Sequence, residues 1–279
     1  MTNSQGRPDR LVFIGAGNMA DALVGGILAA GLRRPSDVAV ADVDAERLRH
    51  FKDRFGVEAL ADNALAARGA GIVVMSVKPQ VFDEAACQVR DCIRPDALVV
   101  SIAAGVTTAR IEALFRPGTA VVRAMPNMAA LVRCGAAALC PGLHASEADA
   151  EAAGALFRSV GLVVRLEERL MDAVTALSGS GPAYVFYLAE AMIRAGMELG
   201  MDAEIARQLA VATVEGAGRM LSGTNMPPAE LRRRVTSKGG TTAAALQVME
   251  QGRFDGVVIE AIRAAHARAC ELSKSVRKA

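Results

Sequence analysis

The sequence predicts an α/β protein in which an N-terminal doubly wound parallel sheet precedes an all-helical C-terminal domain. Its 279 residues leave room for two domains of roughly 100–200 residues each. Short apolar runs alternate with helical segments from Arg10 to about Glu167, the pattern of βαβ units, and no strand pattern follows. We therefore expect domains at 1–167 and 168–279. The composition, 52% hydrophobic but only 4% aromatic, predicts a large, mostly aliphatic core.

The strands of the first domain are predicted from these runs. Several of them, such as Gly71–Met75 and Leu98–Val100, are continuously apolar, which is typical of strands covered by helices on both faces. The predicted strands are Leu11–Gly15, Asp37–Asp42, Gly71–Ser76, Ala97–Ile102, Ala120–Ala124, Ala136–Cys140 and Leu162–Leu166.

The helices of the second domain follow from 3.6-residue periodicity and end signals. They are predicted at Leu170–Leu177, Pro182–Leu199, Ala203–Ser222, Pro228–Val235, Thr241–Gln251 and Asp255–Ser273. Some segments, such as Ala183–Ala189, are apolar nearly all round and must be buried. Because one chain offers few places to bury them, we expect a second subunit to cover this surface, giving a homo-oligomer.

Charge and cysteine usage exclude several classes of protein. The net charge is only +2, with no long basic stretch, so no nucleic-acid partner is expected. The five cysteines are odd in number and lack zinc-type spacing, which predicts no metal site and a reduced, cytoplasmic protein. The polar stretch Met1–Arg10 lacks a signal core, and no membrane span is predicted.

A glycine-rich turn follows the first strand: Gly15-Ala16-Gly17-Asn18-Met19-Ala20. Gly15 allows the tight turn, Gly17 allows close approach of a pyrophosphate, and Ala20 allows helix and strand to pack closely. The N–H groups at the start of the helix would bind the phosphates. Glycine-rich turns also occur for steric reasons alone, but this strand–turn–helix setting favours a Rossmann-type dinucleotide site.

Asp42 ends the second strand, where a carboxylate would accept hydrogen bonds from the adenosine ribose and disfavour a 2′-phosphate. An alternative is that Asp42 simply opens the next helix, because Asp42–Glu46 is acidic. Arg47 lies near enough in sequence to pair with a 2′-phosphate.

Two further strand ends are candidates for cofactor contact, because ligands bind outside the carboxyl ends of such strands. They are Ser76-Val77-Lys78-Pro79 and Ser101-Ile102-Ala103-Ala104-Gly105. The small residues of the second would let a flat nicotinamide lie against backbone. Lys78-Pro79 is also compatible with an ordinary helix start. Asn63, in a predicted loop, is a weaker candidate for the adenosine.

Two polar loops of small residues precede helices in the second domain. They are Leu177-Ser178-Gly179-Ser180-Gly181-Pro182 and Thr236-Ser237-Lys238-Gly239-Gly240-Thr241-Thr242. Hydroxyls and unpaired N–H groups at a helix N-terminus can bind a carboxylate. Ordinary N-capping would explain either loop alone, but two such loops in one domain favour an anion site.

No acid–base pair is evident in the sequence. His50, His144 and His266 lie in polar helical or loop contexts, without a Ser/His/Asp or Cys/His grouping. The lack of such a pair indicates a reaction in which the protein mainly has to position the substrate and the cofactor. Hydride transfer to an already protonated C=N bond is one such reaction.

At these residues the sequence resembles the pyrroline-5-carboxylate reductase family over nearly its whole length. The N-terminal matches are Phe13–Ala20, Val77–Pro79, Ala103–Gly105 and Arg123–Asn127. The most specific matches are Leu177–Tyr184 and Val235–Thr242, which are close to the family signature.

The resemblance implies reduction of 1-pyrroline-5-carboxylate to L-proline, the last step of proline biosynthesis, by a homodimer that can assemble into a decamer. It implies cofactor contacts from Gly15 to Ala20, from Asn63, from Ser76 to Pro79 and from Ile102 to Ala104. It also implies that the Gly239-Gly240-Thr241-Thr242 turn binds the substrate carboxylate. Thr242, or less favourably Thr241, would then hydrogen-bond the ring nitrogen.

One departure concerns the cofactor, NADPH or NADH. Many family members carry a small polar residue or Asn, followed by Arg, where this chain has Asp42-Val43. We therefore expect NADH to compete well or to be preferred. Two alternatives stay open: a related imine or β-hydroxyacid reductase, and a non-catalytic nucleotide-sensing scaffold.

Overall fold

The computed structural model describes residues 10–276, so most of the polar stretch Met1–Arg10 lies outside the described residues. The chain divides into two compact units. One, the sheet unit, comprises the chain up to Gly179 together with the segment from Ala265 onward, and the other, the helical unit, is Ser180–Ala264. The change from strands to helices at Glu167 therefore precedes the boundary between the compact units.

The first unit is built on an eight-stranded sheet with the order β3-β2-β1-β4-β5-β6-β7-β8. The strands are β1 Leu11–Ile14, β2 Val38–Ala41, β3 Glu58–Leu60, β4 Ile72–Met75, β5 Leu98–Ser101, β6 Ala120–Met125, β7 Gly135–Pro141 and β8 Gly161–Arg165. Strands β1 to β6 are parallel, which is the predicted doubly wound arrangement.

The last two strands correct the expectation of a wholly parallel sheet. Strand β7 runs antiparallel to β6, and β8 is parallel to β7. The connection between β6 and β7 contains only the 3₁₀ turn Met128–Val132. It is shorter than the dozen or so residues that a parallel crossover needs, so the chain turns straight back.

The helices of the sheet unit cover both faces of the sheet. They are α1 Asn18–Ala29, α2 Ala45–Phe55, α3 Asn63–Ala67, α4 Phe82–Val89, α5 Thr108–Leu114, α6 Glu147–Arg158 and α7 Met171–Val174. Successive strand residues enter opposite apolar layers, with Phe13 in one and Ile14 in the other, and both are fully buried. This two-sided burial explains the continuously apolar strand sequences.

One strand was not predicted. Strand β3 is three residues long, and Glu58 is exposed while Ala59 and Leu60 are half-buried. Such a short strand at the edge of the sheet lacks the apolar run that identifies the others.

The later helices match the predicted positions within a few residues. They are α8 Gly181–Glu198, α9 Ala203–Gly223, α10 Pro228–Arg234, α11 Thr241–Gln251 and α12 Phe254–Val276. Helix α8 contains no buried residue, and its Phe186 and Tyr187 are 59% and 68% exposed. Among the described residues, no helix is long and apolar enough to cross a membrane.

Candidate active site

The turn between β1 and α1 has the geometry of a dinucleotide-binding loop. Gly15 has φ +98°, and a Cβ there would lie 2.6 Å from the Ser76 carbonyl oxygen, so only glycine fits. Gly17 is the N-cap of α1, without a side-chain cap, and no atom lies within 4 Å of its would-be Cβ. Ala20 is fully buried where helix and strand pack. The loop therefore has both the close packing and the open face that a pyrophosphate requires.

Asp42 lies at the carboxyl end of β2 and faces this loop. Its Oδ2 accepts a hydrogen bond from the Ala16 N–H at 2.6 Å, and its Oδ1 accepts one from the Asp44 N–H at 3.0 Å. The residue that caps α2 is Asp44, which accepts from the N–H groups of Glu46 and Arg47. The structure thus gives the helix-opening role to Asp44 and leaves Asp42 beside the candidate dinucleotide site.

The ends of β4 and β5 lie next to the glycine-rich turn, because β1, β4 and β5 are neighbours in the sheet. The Ser76 N–H donates to the Ile14 carbonyl at 2.8 Å, and the Ile102 N–H donates to the Met75 carbonyl at 3.1 Å. Lys78 is exposed, and Pro79 begins a 3₁₀ turn, as the alternative interpretation of Lys78-Pro79 expects. Both predicted strand-end motifs are therefore brought to one edge of the sheet.

Asn63 does not lie in a loop, in contrast to the prediction. It is the first residue of α3, which Asp62 caps by accepting from the Leu65 N–H at 2.9 Å. Its side-chain Nδ2 donates to Gln88 Oε1 at 2.6 Å. The Asp-Asn pair therefore forms a helix start, and the Asn63 amide has a partner within the protein.

The segment around Ser178 also differs from the prediction. Residues Thr175–Gly179 form a π-helix that leads towards α8, and only Ser180 separates the two. The Ser178 hydroxyl donates to the Val174 carbonyl at 3.3 Å, so the predicted polar loop is mostly helical. Single π-helical turns are frequently found at functional sites.

Asn127 contacts this π-helical turn and was not among the predicted site residues. Its Nδ2 donates to the Ser178 carbonyl at 3.1 Å, and its Oδ1 accepts from the Ala136 N–H at 3.1 Å. The side chain thus connects the π-helical turn to the start of β7. Its place in the Arg123–Asn127 motif was the sequence signal that could have identified it.

The second polar segment forms a turn at the N-terminus of α11, as predicted. Gly239 has φ +72°, and Gly240 is an N-cap without a side-chain partner. The first helical hydrogen bond runs from the Ala244 N–H to the Gly240 carbonyl at 3.2 Å. The N–H groups of Thr241 and Thr242 therefore have no intrahelical acceptor and can bind an anion.

A charged cluster is formed by Arg123, which lies on β6, and by Glu168 and Asp172, which follow β8. Arg123, 2% exposed, pairs with Glu168, and its Nη2 lies 3.8 Å from Asp172 Oδ1. Burial alone would raise the pKa of Glu168, but hydrogen bonds from Thr108 and Arg123 outweigh it and lower the pKa. Burial, and then the nearby Glu168 charge, raise the pKa of the Cys140 thiol to about 11. Cys140 is therefore a neutral packing residue rather than a nucleophile.

Comparison with known proteins agrees with this geometry. Residues 168–272 match the family model described as pyrroline-5-carboxylate reductase dimerisation, and residues 10–105 match one described as NADP oxidoreductase, coenzyme F420-dependent. The pyrroline-5-carboxylate reductase of Pseudomonas aeruginosa is 43% identical, over 96% of this chain and 98% of that protein. The chain belongs to the pyrroline-5-carboxylate reductase family.

Solved structures of the family have the same fold as this chain. The pyrroline-5-carboxylate reductase of Coxiella burnetii has a TM-score of 0.89 at 38% identity and covers 95% of this chain and 98% of its own. The pyrroline carboxylate reductase of Plasmodium falciparum, solved with NADP bound, has a TM-score of 0.84 at 27% identity. The match covers 95% of this chain and 98% of that one. The family resemblance and the predicted pairing of a Rossmann-type domain with a helical dimerisation domain are confirmed.

Proposed function

We propose that this protein reduces 1-pyrroline-5-carboxylate to L-proline with NADH or NADPH, as the last step of proline biosynthesis. The observation that carries the proposal is the similarity to pyrroline-5-carboxylate reductases over nearly the full length. It includes both the glycine-rich turn of β1–α1 and the Gly239–Thr242 turn. A generic dinucleotide-binding protein needs only the first of these.

The dinucleotide would be bound by the sheet unit. N–H groups at the start of α1 would bind the pyrophosphate, from the turn that Gly15 and Gly17 make possible. Residues Ser76–Pro79 and Ile102–Ala104 would lie along the nicotinamide half, and Asn63 would lie on the adenosine side. When bound, the reduced nicotinamide supplies the hydride.

The substrate carboxylate would be bound at the N-terminus of α11. The N–H groups of Thr241 and Thr242 lack intrahelical acceptors and carry the partial positive charge of a helix start, whereas the Gly240 N–H donates to the Ser237 carbonyl at 3.1 Å. Thr242, or less favourably Thr241, would hydrogen-bond the ring nitrogen. Ser178 and Ser180 would add polar contacts. No acid–base pair is needed, because the iminium substrate already carries its proton.

Asp42 supports NADH as an effective cofactor. Its carboxylate faces the glycine-rich turn, where it can accept hydrogen bonds from ribose hydroxyls and repel a 2′-phosphate. We expect NADH to compete well with NADPH or to be preferred.

The apolar faces of the helical unit support a homodimer, with a decamer as the further assembly. All five cysteines lie within the described residues and are free, which supports a cytoplasmic location.

A Thr242→Ala variant tests the proposed substrate site. Loss of one hydrogen bond to a charged group costs about 1.5–3 kcal/mol, so kcat/KM should fall roughly tenfold to a hundredfold. Affinity for the cofactor should be unchanged, as measured by fluorescence titration. The matched control is Thr236→Ala, because the Thr236 hydroxyl donates to the Arg232 carbonyl at 2.7 Å. If turnover of Thr242→Ala equals that of the control, Thr242 does not contact the substrate.

The two alternatives predict different results in the same assay. A related imine or β-hydroxyacid reductase would oxidise the cofactor with another substrate but not with pyrroline-5-carboxylate. A nucleotide-sensing scaffold would bind the dinucleotide without oxidising it.

A further inference from the structure

Arg47 connects helix α2 to the glycine-rich turn. Its Nε donates to the Ala16 carbonyl at 2.7 Å, and its Nη2 donates to Asn18 Oδ1 at 3.5 Å. Its guanidinium carbon lies 5.9 Å from the centre of the Phe51 ring. The charged end of this side chain is therefore placed beside the candidate cofactor-binding turn.

The Arg47 guanidinium has more N–H donors than these two hydrogen bonds use. An arginine side chain has five N–H donors, and within the described residues the Arg47 guanidinium forms two hydrogen bonds, to the Ala16 carbonyl and to Asn18. The remaining N–H groups can donate to a further acceptor. A planar guanidinium with free N–H groups matches the oxygens of a phosphate group.

The position of Arg47 is fixed by the packing of α2 on α1. Asp21 of α1 is buried, at 8% exposed, and pairs with His50 and with Arg54, whose Nη1 donates at 2.9 Å. His50 and Arg54 follow Arg47 by three and seven residues and share its side of the helix. The buried carboxylate therefore holds the Arg47 face of α2 against the helix that begins at the glycine-rich turn.

Three acidic residues also lie near Arg47 in the structure or on the chain. Asp42 accepts a hydrogen bond from the Ala16 N–H, while Arg47 donates to the Ala16 carbonyl, and Asp44 and Glu46 precede Arg47 on the chain. These carboxylates favour an unphosphorylated ribose and oppose a 2′-phosphate, which carries close to two negative charges. Binding of a 2′-phosphate at this end of the sheet would therefore require a positively charged side chain that offsets these carboxylates.

We propose that Arg47 binds the 2′-phosphate of NADPH, so that the site accepts both cofactors: Asp42 serves the ribose of NADH, and Arg47 offsets its charge for NADPH. This inference rests on the proposed function, since it assumes that the glycine-rich turn binds a nicotinamide dinucleotide. It assigns cofactor specificity to a residue outside the motifs by which the family is recognised.

The test is a binding titration without substrate. Wild type, Arg47→Gln, Arg47→Lys and the control Arg49→Gln are titrated calorimetrically with NADPH, NADH, 2′,5′-ADP and 5′-AMP. Arg49 is exposed on the same helix, and two residues along a helix place it on the opposite side. The control therefore removes the same charge without touching the turn.

Arg47→Gln should weaken NADPH and 2′,5′-ADP roughly tenfold to a hundredfold, the effect of losing hydrogen bonds to a charged group. NADH and 5′-AMP should bind as they do to wild type. Arg47→Lys, which keeps the charge, should retain more 2′,5′-ADP binding than Arg47→Gln, and Arg49→Gln should bind all four ligands normally.

Equal losses for NADH and NADPH in Arg47→Gln would overturn the inference, because they would show that Arg47 only supports the turn. Unchanged binding of 2′,5′-ADP would overturn it as well. A wild-type protein that binds neither dinucleotide contradicts both this inference and the proposed function. Selective loss of NADPH binding in a protein that does not reduce pyrroline-5-carboxylate supports the inference and contradicts the reductase alone.

Discussion

At the scale of single residues, the two glycines of the β1–α1 turn serve different physical purposes. Gly15 has a positive φ, and a Cβ there would meet the Ser76 carbonyl at 2.6 Å. Gly17 has an extended conformation with open space around it. The first glycine is therefore required by the fold, and we propose that the second is required for the approach of the dinucleotide.

Alanine substitutions should separate these purposes. Gly15→Ala should lower the free energy of unfolding by more than about 1 kcal/mol, because it strains a left-handed backbone and displaces the end of β4. Gly17→Ala should unfold at the wild-type temperature, yet weaken dinucleotide binding because its methyl group occupies the phosphate approach. Thermal unfolding and cofactor titration measure both effects. Normal cofactor affinity in Gly17→Ala would show that the pyrophosphate does not approach this glycine.

The residues around the glycine-rich turn, the candidate cofactor site, differ in how far the sequence could place them. Gly15, Gly17 and Asp42 were predictable because motif spacing after a strand places them. The contact between Arg47 and Ala16 was not, because the direction of a long side chain depends on how two helices pack. The sequence could only indicate that Arg47 was near the site.

At the scale of elements, the positions of strands and helices followed from periodicity, but two features did not. The antiparallel direction of β7 depends on the short connection after β6, and the π-helix at Thr175–Gly179 follows no local sequence rule. Asn127 contacts both regions, donating to the Ser178 carbonyl and accepting from the Ala136 N–H. We therefore regard Asn127 as a positioning residue for the segment that carries Ser178 and Ser180.

An Asn127→Ala variant should lose both hydrogen bonds. We expect a loss of about 1–3 kcal/mol in the free energy of unfolding, since the Ala136 N–H and the Ser178 carbonyl lose their partner. The KM for pyrroline-5-carboxylate should rise while the KM for NADH stays constant. Asn127→Asp should behave no better, because it places a second acceptor against the Ser178 carbonyl. A change in stability with both KM values unchanged would restrict Asn127 to a structural role.

At the scale of the whole molecule, the aliphatic composition is explained by the two units separately. In the sheet unit, apolar side chains fill two layers, one on each face of the sheet. In the helical unit, large apolar side chains such as Phe186, Leu209 and Val257 are about half exposed. The sequence predicted this difference, because helices that are apolar all round cannot be covered by one chain. It did not predict that the end of α12 belongs to the sheet unit, since a continuous helical pattern carries no boundary signal.

A Phe186→Glu variant should disrupt the oligomer, because a buried unpaired carboxylate is costly at an apolar interface. Sedimentation velocity should show a smaller species than wild type. Leu143→Glu is the matched control, because Leu143 is 83% exposed in the sheet unit and should leave the assembly unchanged. An unchanged sedimentation coefficient for Phe186→Glu would show that α8 lies outside the interface.

The most direct test of the central claim is the absorbance of reduced nicotinamide after addition of pyrroline-5-carboxylate to the wild-type protein, with L-proline measured in parallel. We predict that absorbance falls with NADH and with NADPH, and that one L-proline forms for each dinucleotide oxidised. A protein that binds the dinucleotide but leaves its absorbance constant with both cofactors would contradict the claim.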